Sequence, residues 1–452
     1  MKRCVKYISL FMVMVMSMLL IACQKGDSGD GDSAKGEDKG KPVVKFLSQN
    51  TRSDESRAAI VDEIDQYAKE VSDRYTLDHE GVTGDDIKAK MKVYVASGDI
   101  PDVLFYWGAA AYLSSFLDAD LLLPVDEFFE YSDLSKEDFQ EAKMKEMPDG
   151  KVYGIPFENY YGAWLANKDL FDKYNLEYPK TYDDLKTLAQ TFSKEGIATV
   201  ATGSKGGNPA HWHIDSLYGV MEGAEEEMSS ISKTGEIATD KFRAALDYWT
   251  ELQEAGVFPN DTISNGDWAP NFALYNEGKA ALIPVYGWQV SAMSDECYDF
   301  TEIIDTPIYT GKYAISEEEQ KEYGNIAGHG CIFISKDKFY ESEEKRDAIV
   351  DFVEFYFGEK MNQLRFDAQG MLTCQNLDLN YDGGLPIARD LIANQEEHNF
   401  QKTYQMHMYT IPNSNVWADF QTYLDEFVSG SSTTDEYLKK VQDSMDRNYN
   451  DK

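Results

Sequence analysis

Apolar residues recur at helical spacing over 56–75, where Ile60, Ile64, Tyr67 and Val71 share one face, and this pattern predicts an amphipathic helix. Just before it, the apolar run at 43–47 predicts a buried strand, with Ser48-Gln49-Asn50-Thr51 as the loop that follows. A second helical stretch at 85–96 is broken by Ser97-Gly98-Asp99, and Pro101 opens a strand over 102–106. Short apolar runs predict further strands at 152–156, 163–166, 198–202, 280–284 and 331–334. Helical periodicity covers 168–174, 181–194, 239–255, 269–277, 344–357 and 414–428, and a charged amphipathic stretch covers 434–448. Strands alternating with helices predict α/β layers around a largely parallel sheet. No internal repeat is visible.

The N-terminus has a different pattern. Lys2, Arg3 and Lys6 precede a largely apolar run over 8–21, which closes on Leu20-Ile21-Ala22-Cys23. A basic start, a short apolar run and a small residue before a cut describe a secretory signal peptide. The run is shorter than the roughly 18–20 apolar residues that a membrane span needs. The four closing residues resemble the lipobox of bacterial lipoproteins. That resemblance implies a signal peptide of 1–22, a diacylglyceryl group on Cys23, and a mature chain held by lipid on the extracellular face of the cell membrane. The stretch 24–41 has no apolar side chain larger than Ala34, so 23–41 is expected to be the lipidated cysteine and a flexible tether.

Charge and length narrow the partners. The 452 residues include 80 Asp and Glu against 43 Lys and Arg, a formal net charge of −37. Such a surface repels nucleic acid and anionic lipid, which excludes a nucleic-acid partner and leaves the lipid anchor as the membrane contact. Without the leader the chain is still too long for one hydrophobic core, which predicts two domains. Cys4 leaves with the leader and Cys23 carries lipid. Cys297, Cys331 and Cys374 remain, an odd number without close spacing, so at most one disulfide is expected. His211 and His213 lack a third ligand nearby in sequence, and no metal is assigned to them. No P-loop, no G-x-S-x-G and no H-E-x-x-H occurs, and no cofactor is predicted.

Four short motifs in order carry a wider resemblance. Ala96 to Phe105 reads ASGDIPDVLF. Gly154-Ile155-Pro156 precedes Asn167-Lys168-Asp169-Leu170-Phe171 and Pro179-Lys180-Thr181-Tyr182-Asp183-Asp184-Leu185. Glu277-Gly278-Lys279-Ala280-Ala281-Leu282 precedes Trp288, and Gly328-His329-Gly330 precedes the strand at 332–336 and a helix over 344–358. Together these resemble the family 1 extracellular solute-binding proteins of ABC importers, related to maltose- and oligosaccharide-binding proteins. Ala166, Tyr178 and Tyr182 depart from the family pattern. The resemblance implies a two-lobed α/β fold of the periplasmic-binding-protein type, with hinge crossings and a ligand cleft between lobes. Lobe 1 is expected over 42–154 plus 310–365, and lobe 2 over 155–309 plus 366–452, with the first crossing near 154–157. It also implies delivery of ligand to the membrane permease subunits of an ABC importer, by a protein expected to be a monomer.

In open α/β sheets, ligands gather beyond the carboxyl ends of strands. That rule selects Gln49 and Asn50 after the first strand, Tyr106 and Trp107 at the end of the Pro-Asp strand, and Tyr286 and Trp288 after 280–284. The first crossing brings Glu158, Asn159 and Tyr160. Trp212 and Trp268 lie in loop-like sequence, His329 sits between two glycines, and Trp417 follows Ile411-Pro412-Asn413. Each tryptophan has the alternative of simple core packing, Glu158 that of a surface carboxylate, and Asp102 is expected to brace a turn. Aromatic rings cover the C–H face of a pyranose, while amides and carboxylates hold its hydroxyls, so this residue mix points to a carbohydrate, an oligosaccharide above all. The expected activity is binding rather than catalysis. The alternatives are a lipid-anchored glycoside-acting enzyme, which needs two carboxylates facing across a cleft, or capture of a non-sugar solute on the same fold.

Overall fold

A computed structural model describes residues 40–449, apart from 141–143, 148 and 328–329. The leader, Cys23 and His329 lie outside the described residues. Contacts divide the chain into 1–40 and 41–452, and the second unit holds every element below.

The strands are β1 (Val43–Ser48), β2 (Thr76–Gly81), β3 (Val103–Trp107), β4 (Ile155–Pro156), β5 (Tyr160–Asn167), β6 (Ala198–Val200), β7 (Ser204–Lys205), β8 (Asn208–Pro209), β9 (Ala280–Tyr286), β10 (Thr301–Ile304), β11 (Tyr323–Ala327), β12 (Gly330–Ile334) and β13 (Lys402–Thr403). One sheet has the order β2-β1-β3-β12-β4. The other runs β13-β11-β5-β9-β6, with β10 also on β5, while β7 and β8 form a small hairpin. In the first sheet β2 and β3 pair with β1 in parallel, but β12 runs antiparallel to both β3 and β4. In the second, β5 is antiparallel to β9, β10 and β11. The expectation of a largely parallel sheet is therefore corrected. Local periodicity reports a strand but not the direction of its partner.

Helices form where caps and apolar stripes coincide. Thr181 and Asp184 make a reciprocal capping box at the start of the helix Tyr182–Phe192: the Thr181 hydroxyl accepts from the Asp184 N–H at 3.2 Å, and Asp184 accepts from the Thr181 N–H at 2.8 Å. Leu185, Leu188, Ala189 and Phe192 then bury one face. Asp102, expected to brace a local turn, instead braces the first sheet, because its carboxylate reaches a neighbouring strand and a helix far along the chain. Its carboxylate accepts from the Lys45 N–H at 2.6 Å and pairs with Lys345 Nζ at 2.7 Å, tying β1 and the helix Glu343–Tyr356 to the start of β3. Cys297, Cys331 and Cys374 are buried thiols.

The chain changes sheet between β4 and β5, so residues 157–159 form a crossing, slightly later than expected. β11, inside the stretch expected in lobe 1, pairs with β5 and extends the second sheet. Further on, Leu372 bridges to Asn159 and Gln375 to Phe139, while Ile387 and Leu391 of the helix Pro386–His398 join the core of the second sheet. Among the described residues no helix is long and apolar enough to cross a membrane.

Candidate functional site

The crossing at 157–159 puts Glu158 where the first sheet meets the second. Glu158 is only 7% exposed. Gln49, in the loop after β1, donates its side-chain amide to the Glu158 carboxylate. Burial pushes the Glu158 carboxyl up to about 7, with Arg57, the Gln49 hydrogen bond and Arg365 pulling the other way. Near neutral pH this acid is divided between its charged and neutral forms.

A cavity of about 190 Å³ opens beside it, bounded by Gln49, Arg57, Lys88, Trp107, Tyr112, Glu158, Tyr160, Asn208, Trp212, Trp268, Trp288 and Met408. One wall is aromatic and comes from the side of the second sheet. Tyr286 and Trp288 stack in parallel, 4.9 Å apart and tilted by 7°. Trp212 meets Tyr286 at 4.5 Å, Trp268 at 5.6 Å and Trp288 at 5.8 Å, each time edge-on. Trp268 meets Trp288 edge-on at 5.3 Å, and Tyr160 does so at 5.4 Å. The Tyr160 hydroxyl is buried without a hydrogen-bond partner among the described residues.

Local backbone features set this wall. β9 continues to Tyr286, two residues beyond its predicted end, and Gln289 caps the following turn by accepting from the Tyr286 N–H at 3.0 Å. Asp267 caps the helix Trp268–Asn276, accepting from the Trp268 N–H at 2.8 Å, and its own N–H donates to the Asn208 carbonyl at 3.0 Å. A Cβ on Gly266 would come within 2.5 Å of the Ser204 backbone, so the loop before Trp268 lies flush on the β7–β8 hairpin. That contact sets Trp268 beside Trp212, which sits on the helix Ala210–Gly219 directly after the hairpin.

The opposite wall comes from the first sheet. Trp107 ends β3, with Lys88 Nζ 5.3 Å from its ring centre and Tyr112 at 5.6 Å. Arg57 is anchored through Nε to Asp54 at 2.9 Å.

Of the residues singled out from the sequence, Gln49, Trp107, Glu158, Tyr160, Trp212, Trp268 and Trp288 line this cavity. The others are placed differently. Asn50 turns inward, its backbone N–H donating to the Ser48 hydroxyl at 3.0 Å and its amide to the Tyr356 hydroxyl at 3.4 Å. Tyr106, 6% exposed, packs on Phe116 and Tyr112, on the face of β3 opposite to Trp107. Trp417, 2% exposed, stacks on Phe420 at 5.2 Å and stands behind Tyr112 at 6.1 Å. His211 and His213 face different neighbours, Trp417 and Trp249, and burial lowers their pKa values to about 4 and about 3.

Sequence reasoning missed Arg57, Lys88, Tyr112, Asn208 and Met408. The first three lie in the opening turns of the helices Glu55–Glu70, Gly84–Ser97 and Ala110–Asp118, which follow β1, β2 and β3. The strand-end rule extends naturally to those turns, because the same edge of the sheet presents both. A larger hollow of about 590 Å³, bounded in part by Asn159, Tyr161, Tyr404 and Tyr409, shares Trp212 with the small cavity. Another of about 690 Å³ lies along the second sheet, near Tyr178, Asp305 and His398.

Comparison with known proteins adds a family. The profile of a family described as bacterial extracellular solute-binding protein matches residues 63–376. The fructooligosaccharide ABC transporter substrate-binding protein of Streptococcus pneumoniae is 23% identical over 252 residues, which are 49% of this chain and 46% of that protein. The chain thus spans about half the length of that relative. The multiple sugar-binding protein of Streptococcus mutans is 23% identical over 78% of this chain and 79% of its own. Among solved structures, a chitin oligosaccharide binding protein superposes with a TM-score of 0.76 at 18% identity, over 90% of this chain and 99% of its own. Maltose-bound MalE3 of T. maritima does so with a TM-score of 0.67 at 15% identity, over 90% and 99%. At such identities these structures establish the two-lobed fold.

Proposed function

Because this chain belongs to the bacterial extracellular solute-binding protein family, a family of binding proteins rather than enzymes, we propose that it captures a carbohydrate, an oligosaccharide, in the cavity beside Glu158. The observation that carries this reading is the wall of Trp212, Trp268 and Trp288 standing opposite Gln49, Arg57 and Lys88. Aromatic faces cover the C–H face of a sugar ring, and amide, carboxylate and cationic groups hold its hydroxyls. A cavity of about 190 Å³ suits a single ring, and the hollow of about 590 Å³ that shares Trp212 with it gives room for more. The sugar specificities named for the relatives and structural neighbours support the same ligand class.

Capture proceeds by closure of the two lobes about the crossing that carries Glu158. A ligand that touches Trp288 on one side and Trp107 on the other binds the closed form more tightly, and that difference in affinity is what shifts the equilibrium. The closed form then delivers its ligand to the permease subunits of an ABC importer. Lipidation at Cys23 and the tether behind it hold the protein near the permease and raise its effective concentration there.

A thermal-shift screen of the full chain against mono- and oligosaccharides tests this. A ligand at about 100 times its dissociation constant stabilises the folded state by about 2.7 kcal/mol. A selective response among related glycans supports sugar capture. No response across the whole panel removes the sugar assignment and leaves the family standing.

A further inference from the structure

The hollow of about 690 Å³ along the second sheet has more than three times the volume of the cavity beside Glu158 and shares no residue with it. It opens where one edge of β5 changes partner. β10 pairs with β5 as far as Trp164 and β11 takes over at Gly162, so Ala163 has no strand partner on that edge. Gly162 and Ala163 both border the hollow. The chain beyond β10 is fastened to the start of the helix Tyr182–Phe192. There the Ile308 N–H donates to the Lys180 carbonyl at 2.9 Å, and the Tyr182 N–H to the Ile308 carbonyl at 3.0 Å. Backbone hydrogen bonds thus hold this wall in place without a ligand. Tyr182 and Tyr404 are each 8% exposed and border the hollow, yet neither hydroxyl has a hydrogen-bond partner among the described residues. Burial holds both well above the usual tyrosine pKa, so they stay neutral and can donate and accept. Ser216, also buried, donates its hydroxyl to the Trp212 carbonyl at 2.8 Å and keeps an oxygen able to accept.

We propose that this hollow is a second carbohydrate site, which takes a neutral mono- or disaccharide independently of the cavity beside Glu158. Three buried neutral hydroxyls that can exchange hydrogen bonds suit a ligand made of hydroxyls. Flat rings stand around them: Tyr323 stacks on Tyr404 at 5.3 Å, and Phe400 on His398 at 5.2 Å. The charges at the mouth offset one another, which favours an uncharged ligand. Asp305 pairs with His398 at 2.9 Å and Glu317 with Lys321 at 2.6 Å, while exposed Glu302 and Lys180 add one charge of each sign. Every strand that borders the hollow belongs to the second sheet, and none of its lining comes from 40–156 or 330–376. A sugar held there touches one lobe only, so it has no contact through which to favour closure. This separates it from the ligand that is captured between the lobes.

The test combines native mass spectrometry, calorimetry and hydrogen exchange on the full chain with glucose, maltose, cellobiose and sucrose. The expected result is two bound copies of at least one of these sugars per chain, with slowed exchange across 302–308 and 394–404. Trp288→Ala removes one copy and leaves that slowed exchange in place. Tyr182→Phe weakens the other copy by about three- to tenfold, the worth of one hydrogen bond. Tyr182 is the residue to change because Tyr404 also borders the hollow of about 590 Å³. The phenylalanine keeps the ring that packs edge-on against Trp164, and circular dichroism and the Tm check the fold. A single copy that is lost in Trp288→Ala, is untouched by Tyr182→Phe and leaves exchange across 302–308 and 394–404 unchanged overturns the second site while sugar capture in the cavity stands. A single copy with the opposite behaviour upholds the second site and removes the cavity reading. No bound copy of any of these sugars overturns the second site, and the wider saccharide screen then decides the cavity reading separately.

Discussion

Gly330 and Glu158 are in contact across the junction of the two sheets, so closely that a Cβ on the glycine would overlap the carboxylate. The Gly330 carbonyl also accepts from the Phe157 N–H at 3.2 Å and from the Glu158 N–H at 3.3 Å. The first residue of β12 thus clamps the crossing segment and leaves just enough room for the acid to sit beneath the cavity. Gly330→Ala must displace either Glu158 or the strand. We expect a loss of about 1–3 kcal/mol in stability, typical of overpacking, together with weaker ligand binding. Urea unfolding and calorimetry on the same variant measure both. Wild-type values in each would show that the strand yields without moving the acid.

Glu158 predicts a pH signature. Burial raises its pKa in the folded state from the ordinary 4.5 to about 7. Between those values the folded protein keeps a proton that the unfolded chain has released. The contribution of this group to stability therefore falls as pH rises through that window and is flat above it. The full shift corresponds to about 3 kcal/mol. His211 and His213 act in the opposite direction. Burial lowers their pKa values to about 4 and about 3, so they favour the folded state less as pH drops below the usual histidine range. The difference between wild type and Glu158→Gln isolates the glutamate, and that difference should change by about 3 kcal/mol between about pH 4.5 and about pH 7.5. Parallel profiles for the two proteins would contradict the shift.

Asp425 supports the aromatic wall from a distance. Its carboxylate accepts from the Ser204 hydroxyl at 2.6 Å, the Gly206 N–H at 2.7 Å and the Gly207 N–H at 2.9 Å. This holds the β7–β8 hairpin in place, and the hairpin in turn positions Asn208, Trp212 and, through the Asp267 N–H, Trp268. Asp425→Ala leaves two backbone donors without their acceptor. The expected cost is about 1.5–3 kcal/mol in stability, accompanied by reduced affinity. Asp425→Asn, which keeps one carbonyl acceptor, should recover part of each. An alanine variant with full affinity would show that the hairpin holds its shape without this anchor.

Much of this arrangement was legible from the sequence, and the gaps have physical causes. The strand-end rule brought Gln49, Trp107 and Trp288 to one place, and the expected first crossing added Glu158 and Tyr160. It could not separate Tyr106 from Trp107. β3 is central in its sheet and covered on both faces, so its residues are apolar throughout and hydrophobic alternation gives no sign of which side faces the cavity. Arg57 and Lys88 read as ordinary polar positions on amphipathic helices, and their proximity to Trp107 and Glu158 exists only after β1, β2 and β3 have paired. β2 was overlooked because Thr76-Leu77-Asp78-His79-Glu80-Gly81 is polar, as suits an edge strand. Trp417 sits in a sequence context resembling that of Trp268, and only tertiary packing on Phe420 and His211 places it behind the cavity rather than in it.

The most direct test of stacking is Trp288. It is half-buried and lies parallel to Tyr286, with one edge of Trp212 and one of Trp268 against it. Trp212 is a poorer probe because it is 3% exposed and wedged among three aromatic rings. Removing it should cost about 3–5 kcal/mol of stability by cavity formation, which would obscure any effect on binding. Trp288→Ala leaves Tyr286 and Trp212 supporting each other and removes the ring that borders the cavity. If it stacks on a sugar, affinity should fall by about 1–3 kcal/mol. Trp288→Phe should retain a share of the wild-type value, because a smaller ring still covers part of the sugar face. Calorimetry with the best ligand from the saccharide screen provides the measurement, and the indole fluorescence of wild type should shift on binding and lose that response in the variant. Unchanged affinity in a folded Trp288→Ala protein would remove the stacking role and move attention to Trp107 on the opposite wall.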